Sequence, residues 1–367
     1  AGGMGVVLKA FDTELNRPVA IKVLAPHLAA SGAARQRFAR EARAAAAVVH
    51  EHVVAIHNVE SDGTLPFLVM QFVDGEPLQS RIDRLGMLDI ATILRIARQT
   101  AAGLAAAHSQ GLVHRDVKPG NILLVQDVDR ALLTDFGLAR AADDASLTHT
   151  GYHPGTPHYM SPEQARGELI DARSDLFSLG AVLYTMAVGR PPFRAETSFG
   201  VLRRITDTAP RAVRELNPQI PEWLAAIIDR LLEKDPAKRV ESAARLAQLL
   251  ESCLAHLQQP LAAGLPDEVV AWTDEWRRRT TAVSSVVPSS SSGSSSHSTS
   301  SSSLVGARRS LLRRRDVWAA CAALAMLACG AALIASGVRG WLGDTSDEPR
   351  TGDSSGRSDV GRANAAS

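Results

Sequence analysis

The spacing of apolar positions changes near residue 74, and this change divides the main part of the sequence. Residues 6–72 carry short β-branched runs, Val19-Ala20-Ile21 and Phe67-Leu68-Val69-Met70, around one alanine-rich helical stretch from Ala33 to Val49. Beyond Asp74-Gly75, apolar residues recur at helical spacing in five segments: Ile90–Ser109, Ser174–Val188, Phe199–Thr206, Trp223–Glu233 and Glu241–Leu257. The pattern predicts a small sheet with one helix (residues 1–72), followed by a mainly helical lobe (residues 76–258).

The polar and apolar pattern changes again after Pro260. Within residues 259–283 we predict one more helix, Asp267 to Arg279, in which Trp272 and Trp276 lie one turn apart. We interpret the tryptophans as packing against the helical lobe, with a membrane-surface helix as the alternative. Residues 284–316 are rich in serine and then in arginine, a composition that cannot bury enough apolar surface to fold. We interpret them as a flexible tether, with a phosphorylated regulatory segment as the alternative.

An uncharged stretch, residues 317–336, follows the arginines and is long enough to cross a bilayer. Arginine on its N-terminal side predicts that everything before it faces the cytoplasm. We therefore predict a single-pass protein of the cell membrane, with a cytoplasmic main domain and a short disordered tail, residues 337–367. A buried helix or a poorly ordered alanine-rich segment is the alternative for the stretch itself.

Composition and charge narrow the function only by exclusion. The formal net charge is +1, so nothing in the overall balance indicates nucleic-acid binding. The three cysteines, Cys253, Cys321 and Cys329, have no metal-ligand spacing, which is typical of a reducing compartment. No secretory signal precedes the first residues, which lie inside a predicted loop, and we expect a missing N-terminal piece.

Two motifs carry the strongest chemical signal. The first is His114-Arg115-Asp116-Val117-Lys118-Pro119-Gly120-Asn121, and the second is Asp135-Phe136-Gly137. Phosphoryl transfer needs a carboxylate that accepts a hydroxyl proton and oxygen ligands for the metal ions that spread the developing charge. We assign the first role to Asp116, and metal binding to Asn121 and Asp135; Lys118 would neutralise the γ-phosphoryl group. The alternative, a solvated polar loop, does not explain two ordered motifs.

Two weaker signals lie upstream of these motifs. Gly2-Gly3-Met4-Gly5-Val6-Val7 matches the latter part of G-x-G-x-x-G-x-V, in which backbone N–H groups close over phosphates, although a glycine cluster alone is as often a turn. Lys22 lies on a predicted third strand and Glu41 on the next helix. An ion pair between them could hold the ammonium against the α- and β-phosphates.

Taken together, residues 1–258 resemble the protein kinase superfamily, and most closely the bacterial transmembrane serine/threonine kinases of the Hanks type. The resemblance also rests on Gly155-Thr156-Pro157-His158-Tyr159-Met160-Ser161-Pro162-Glu163-Gln164, which is similar to the family's substrate-binding segment with a variant of A-P-E. It implies an α+β bilobal fold, ATP and Mg²⁺ (or Mn²⁺) as cofactors, and protein substrates. Dimerisation through the small lobe or the membrane helix would be compatible with it.

The resemblance also implies roles for further residues. Asp175 matches the aspartate that braces the catalytic loop, and Arg239 matches the arginine that pairs with Glu163. Lys118 together with Thr156 is the pattern of serine/threonine kinases rather than tyrosine kinases. Arg115 is similar to the arginine that binds a phosphate on the activation loop, for which the candidate sites are Thr148, Thr150 and, more weakly, Ser146. Ordinary loop hydroxyls are the alternative for these sites.

For the nucleotide, we expect the adenine to lie against apolar residues such as Val7 and Ala20. Backbone groups of Gln71 to Val73 would bond its edge, with Met70 as the gatekeeper. Two other functions share the fold: a pseudokinase scaffold without turnover, and a phosphotransferase acting on small molecules. The full set of Lys22, Glu41, Asp116, Asn121 and Asp135 argues against the first, and the segment from Gly155 to Gln164 argues against the second.

Overall fold

The computed structural model describes residues 5–25, 29, 32–61, 65–136 and 157–284, and for 282–284 the backbone only. All of them belong to one compact unit. In these ranges no helix combines the length and the apolar character that a membrane crossing needs. The predicted span at residues 317–336 lies outside them, as do Gly2, Gly3, Thr148, Thr150 and Thr156.

The N-terminal lobe is a small sheet with one helix, as the sequence predicts, and the sheet has four antiparallel strands. Its strands lie in the order β1-β2-β4-β3, and the helix α1 joins β2 to β3. Phe38 and Ala42 on α1 pack against Leu24 and Leu68 of the sheet. The bounds are β1 Gly5–Asp12, β2 Arg17–Leu24, α1 Gly32–Ala46, β3 Ile56–Glu60 and β4 Phe67–Gln71.

The C-terminal lobe is built around α5, which is buried along nearly its whole length. Close packing is possible because Gly180 faces α8, where a Cβ would come within 2.6 Å of the Leu231 Cβ. Asp89 and Asp171 cap the starts of α3 and α5 by accepting backbone N–H groups. The bounds are α2 Leu78–Leu85, α3 Ile90–His108, α4 Pro162–Arg166, α5 Ala172–Val188, α6 Ser198–Asp207, α7 Val213–Leu216, α8 Glu222–Leu231 and α9 Ala243–Gln258.

A second, three-stranded sheet, which the sequence analysis did not predict, lies at the junction of the lobes. It consists of β5 Gly75–Pro77, β6 Ile122–Val125 and β7 Ala131–Leu133. The segment before β3 runs alongside it, since the Leu133 N–H donates to the His52 carbonyl and the Val54 N–H to the Leu133 carbonyl, both at 2.9 Å. The hairpin formed by β6 and β7 positions the candidate site, because Asn121 directly precedes β6 and Asp135 closely follows β7.

The last described helix, α10 Asp267–Ser284, packs on α8. Trp272 and Trp276 are buried in the main core, and the Arg230 and Arg214 guanidinium groups lie 5.5 and 5.8 Å from their ring centres. The two tryptophans thus pack against the helical lobe, as the first interpretation predicted, rather than forming a membrane-surface helix.

Candidate active site

The backbone of the first motif is held by one buried carboxylate. Asp175, on α5, is fully buried; its Oδ2 accepts the His114 N–H at 2.8 Å and its Oδ1 accepts the Arg115 N–H at 2.7 Å. His108 contacts the same Oδ2 at 2.7 Å. Arg115 has φ +67°, a conformation that costs a non-glycine residue on the order of 1 kcal/mol. The loop before Asp116 therefore depends on these contacts for its shape.

Asp116 lies at the centre of a small polar cluster. The Lys118 ammonium contacts its Oδ2 at 2.7 Å, and the Asn121 Nδ2 donates to the same oxygen at 2.9 Å. Asn121 also donates to the Asp116 carbonyl at 2.8 Å, because the 3₁₀ turn Pro119–Asn121 folds the chain back over Asp116. Among the described residues both side-chain donors approach Oδ2, so Oδ1 is the oxygen placed to accept a proton from an incoming hydroxyl.

The second motif is joined to β2 by an ion pair. The Lys22 ammonium lies 2.9 Å from the Asp135 Oδ1, and Lys22 is buried while Asp135 is half-buried. Among the described residues, Lys22 forms an ion pair with Asp135, whereas the partner predicted from the sequence was Glu41. Glu41 lies half-buried on α1 and has an interaction of its own.

The two motifs lie next to each other. The Thr134 N–H donates to the Asn121 carbonyl at 3.0 Å, and the His114 Nε2 contacts the Thr134 carbonyl at 2.9 Å. The rings of His114 and Phe136 lie 4.5 Å apart. Asp135 is therefore flanked on both sides by residues that contact the first motif. The roles of the His114 ring and of Thr134 were missed by the sequence analysis, since the partners are distant in the chain.

The donor set fits a magnesium ion bound together with a nucleotide. In the described ranges no three His, Cys, Asp or Glu side chains group as a complete metal site. Mg²⁺ does not need such a group, because it usually takes one or two carboxylates together with phosphate oxygens and water. With its Nδ2 turned to Asp116, Asn121 presents its Oδ1, and Asp135 supplies a carboxylate. These two residues would hold the ion.

An apolar cluster between the lobes provides a surface for a flat ring. Val54, Met70 and Leu132 form its buried part, and Ala20 and Val73 pack against it. Leu123 also packs there and was missed by the sequence analysis. In the structure Ile122 and Leu124 of β6 are buried and Leu123 points to the other side, but all four residues of this strand are apolar, so no alternation in the sequence indicated Leu123.

Three more residues that were predicted to contact the nucleotide, Gln71, Val7 and Gly5, lie in the described part of the chain. The Gln71 N–H already donates to the Ala55 carbonyl at 2.8 Å. The predicted hydrogen bonds to adenine would therefore come from the other backbone groups of Gln71 to Val73. Val7, on β1, is 55% exposed, which leaves its side chain open to a ligand. At Gly5 the φ is +150° and a Cβ would come within 1.9 Å of the Val23 carbonyl oxygen, so this position requires glycine.

The pair implied for Glu163 is present. Arg239 donates to both carboxylate oxygens of Glu163, at 2.7 and 2.8 Å, and the Ser174 hydroxyl donates to the same carboxylate. Burial raises the pKa of Glu163, but the hydrogen bonds from Arg239 and Ser174 outweigh it and lower the pKa to about 2. The charged pair fixes the start of α4 to α5 and to the segment before α9.

Residues 1–253 match the protein kinase domain family, and the chain belongs to this family. The fold and the two motifs described above are consistent with that membership. Because the match extends over most of the chain, it applies to both lobes.

Individual relatives are named as serine/threonine kinases. The chain is 40% identical over 242 residues to a probable serine/threonine-protein kinase of Clostridium acetobutylicum, and 37% identical over 271 residues to the serine/threonine-protein kinase PknA of Mycobacterium tuberculosis. The alignments cover 66% and 72% of this chain, but only 37% and 62% of those relatives. The crystal structure of the PknI kinase domain of Mycobacterium tuberculosis superposes with a TM-score of 0.55 at 29% identity, covering 68% of this chain and 92% of that domain.

Proposed function

We propose that the chain is a serine/threonine protein kinase that transfers the γ-phosphoryl group of Mg-ATP to hydroxyl groups of proteins. The observation that carries the proposal is the cluster of Asp116, Lys118 and Asn121 directly beside the Lys22–Asp135 pair. It combines a proton acceptor, cations for phosphate oxygens and two oxygen ligands for a metal. The names of the relatives support the serine/threonine preference.

Each residue has a role that follows from its position. Asp116 orients the substrate hydroxyl and accepts its proton at Oδ1. Lys118, whose ammonium lies 2.7 Å from the other oxygen of that carboxylate, would neutralise charge on the transferred phosphoryl group. Asn121 and Asp135 would hold Mg²⁺, which when bound spreads the negative charge of the phosphates.

Lys22 has two alternative partners in this proposal. Here its ammonium pairs with Asp135. With a nucleotide and its metal bound at Asp135, the Lys22 ammonium would instead contact the α- and β-phosphates, with Glu41 on α1 as its carboxylate partner. Lys22 would then orient the nucleotide and connect β2 to α1.

The experiment is phosphate transfer by the purified chain with Mg-ATP and a mixed protein acceptor, with phosphosite mapping and an Asp116→Asn variant as the control. We expect phosphoserine and phosphothreonine in the wild type and a loss of about 10²- to 10⁴-fold in the variant, because the proton acceptor is removed. Equal transfer by the variant would contradict the assignment of Asp116. Transfer only to small alcohols would favour the small-molecule alternative, and nucleotide binding without transfer the pseudokinase alternative.

We also propose that the chain phosphorylates its own activation loop at Thr148 or Thr150. Arg115 supports this, because its Nε is buried without a hydrogen-bond partner among the described residues. A guanidinium in that position is suited to a phosphate. Mapping these two threonines before and after incubation with Mg-ATP tests the proposal, and sites confined to other loops would contradict it.

Attachment to the cell membrane through residues 317–336 is the last part of the proposal. The support is the uncharged composition of this stretch after an arginine cluster. Fractionation of cells that express the full chain, beside a variant lacking residues 317–336, tests it. We expect the full chain in the membrane fraction and the deletion variant in the supernatant; equal distribution of both would contradict anchoring.

A further inference from the structure

The peptide bonds on both sides of Arg115 are held by residues from different helices. Asp175 of α5 accepts the Arg115 N–H at 2.7 Å. The Gln164 Nε2, from α4, donates to the Arg115 carbonyl at 2.8 Å. That carbonyl belongs to the peptide bond that leads directly to Asp116. Arg115 also has a positive φ, which is unfavourable for a non-glycine residue, so these contacts are needed to maintain its conformation.

Gln164 uses both ends of its amide. Its Oε1 accepts the Ser161 N–H at 2.9 Å, which completes the capping box at the start of α4. Its Nε2 is then directed at Arg115. Only a side chain that carries one acceptor and one donor can make both contacts, since a glutamate has no donor and a lysine no acceptor.

The helix that carries Gln164 is itself fixed. The neighbouring residue, Glu163, is bonded to the buried Arg239. The segment just before α4 is the one that, by resemblance, binds the protein substrate. Gln164 thus connects an anchored helix at the end of the substrate segment to the residue before the proton acceptor.

We propose that Gln164 is a positioning residue for Asp116: by holding the Arg115 carbonyl, its side-chain amide couples the substrate segment to the catalytic loop. The expected effect on kcat rests on the proposed kinase function. The expected structural effect does not depend on that function: residues 114–117 should become more mobile when the amide donor is lost.

The test is a Gln164→Glu variant of the full chain. This variant keeps an oxygen for the Ser161 N–H but cannot donate to Arg115. Gln99→Glu is the matched control, because the Gln99 amide also bridges a backbone carbonyl, that of Asp129 at 2.7 Å, and a backbone N–H, that of Ala131 at 2.6 Å. Gln99 makes these contacts on the β6–β7 turn, away from Arg115.

Two readouts are measured for each variant. The first is hydrogen exchange of the peptide that contains residues 114–117; we expect about tenfold faster exchange in Gln164→Glu and wild-type exchange in Gln99→Glu. The second is steady-state phosphate transfer, where we expect kcat to fall about tenfold in Gln164→Glu with KM for ATP unchanged, because the acceptor carboxylate is misplaced. Gln99→Glu should lower Tm but leave kcat unchanged.

The outcomes separate this inference from the proposed function. Wild-type exchange and wild-type kcat in a folded Gln164→Glu variant would overturn the inference while leaving the kinase function intact. An inactive wild type whose loop loosens on the substitution would contradict the kinase function and support the inference. If Gln164→Glu does not fold, Gln164→Met takes its place; it is neutral and of similar length, and it loses the contact to the Ser161 N–H as well as the donor to Arg115, so the same faster exchange and lower kcat are expected.

Discussion

At the scale of single residues, the Glu163–Arg239 pair makes the stability of the C-terminal lobe depend on pH. Both side chains are buried, so neither charge is well solvated without the other. The folded pKa of Glu163, about 2, is below its ordinary value of 4.5. This carboxylate therefore contributes stability that is fully present above pH 4.5 and is lost as the pH falls through about 2.

We predict that Glu163→Gln lowers stability most at neutral pH. The difference between 4.5 and about 2 corresponds to roughly 3 kcal/mol, and the variant also leaves the Arg239 charge buried without its carboxylate. Denaturant unfolding between pH 7 and pH 3 measures the effect. The gap between wild type and variant should narrow below pH 4.5; a gap independent of pH would contradict the prediction.

At the scale of elements, α10 lies after the segment that matches the kinase family and yet supplies core residues. We predict that Trp276→Ala lowers the unfolding free energy by about 3 to 5 kcal/mol, because a large buried ring is lost. Arg277→Ala is the control on the same helix. Its guanidinium is 55% exposed and pairs with Glu222 at 2.7 Å, so its loss should cost less than about 1 kcal/mol. Equal losses in denaturant unfolding would show that α10 does not pack as described.

The same interface contains a carboxyl whose pH dependence has the opposite sign. Burial raises the pKa of Asp229, on α8, from 3.8 to about 6, and a hydrogen bond from Trp276 opposes this only in part. The folded state favours the neutral carboxyl, so the contribution of Asp229 to stability falls as the pH rises from 3.8 through about 6.

We therefore predict that Asp229→Asn stabilises the protein above pH 6, by at most about 3 kcal/mol, since asparagine stays neutral and still offers an oxygen to Trp276. The gain should vanish below pH 4. Thermal unfolding at pH 8 and pH 4 measures it; a variant less stable than wild type at pH 8 would contradict the raised pKa of Asp229.

Elements also explain what sequence patterns could and could not predict. Five helices of the C-terminal lobe, such as Ile90–His108, were predicted to within two residues at each end because apolar positions recur over several turns, whereas α10 extends five residues beyond its predicted end. Strands β6 and β7 were missed because they have only four and three residues, too few for an alternation to be recognised. The hairpin that positions Asn121 and Asp135 was therefore invisible, although both residues were identified.

At the scale of the whole molecule, motif order predicted which residues form the candidate site, but not every contact between them. Spacing along the chain identifies Asp116 and Asn121 as neighbours, since they lie within one loop. The partner of Lys22 cannot be identified from spacing along the chain. Glu41 and Asp135 are both carboxylates brought near it by tertiary folding, and the choice depends on how the lobes are arranged and on what occupies the site. Gln164 and Arg115, 49 residues apart, illustrate the same limit.

The last prediction concerns the lobes together, because the adenine surface involves Ala20 and Met70 of one lobe and Leu123 of the other. A ligand that binds only the folded state stabilises it by RT ln(1 + [L]/Kd), which is about 2.7 kcal/mol at one hundred times Kd. We expect ADP with Mg²⁺ to raise Tm by several degrees, and ADP with EDTA to raise it much less. In Asp135→Asn the Mg²⁺-dependent part should disappear, whereas Asp129→Asn, a substitution of the same kind on the exposed β6–β7 turn, should keep it. A Mg²⁺-dependent rise in Tm that persists in Asp135→Asn would mean that other residues bind the metal, and Asp135 would no longer be assigned as its ligand.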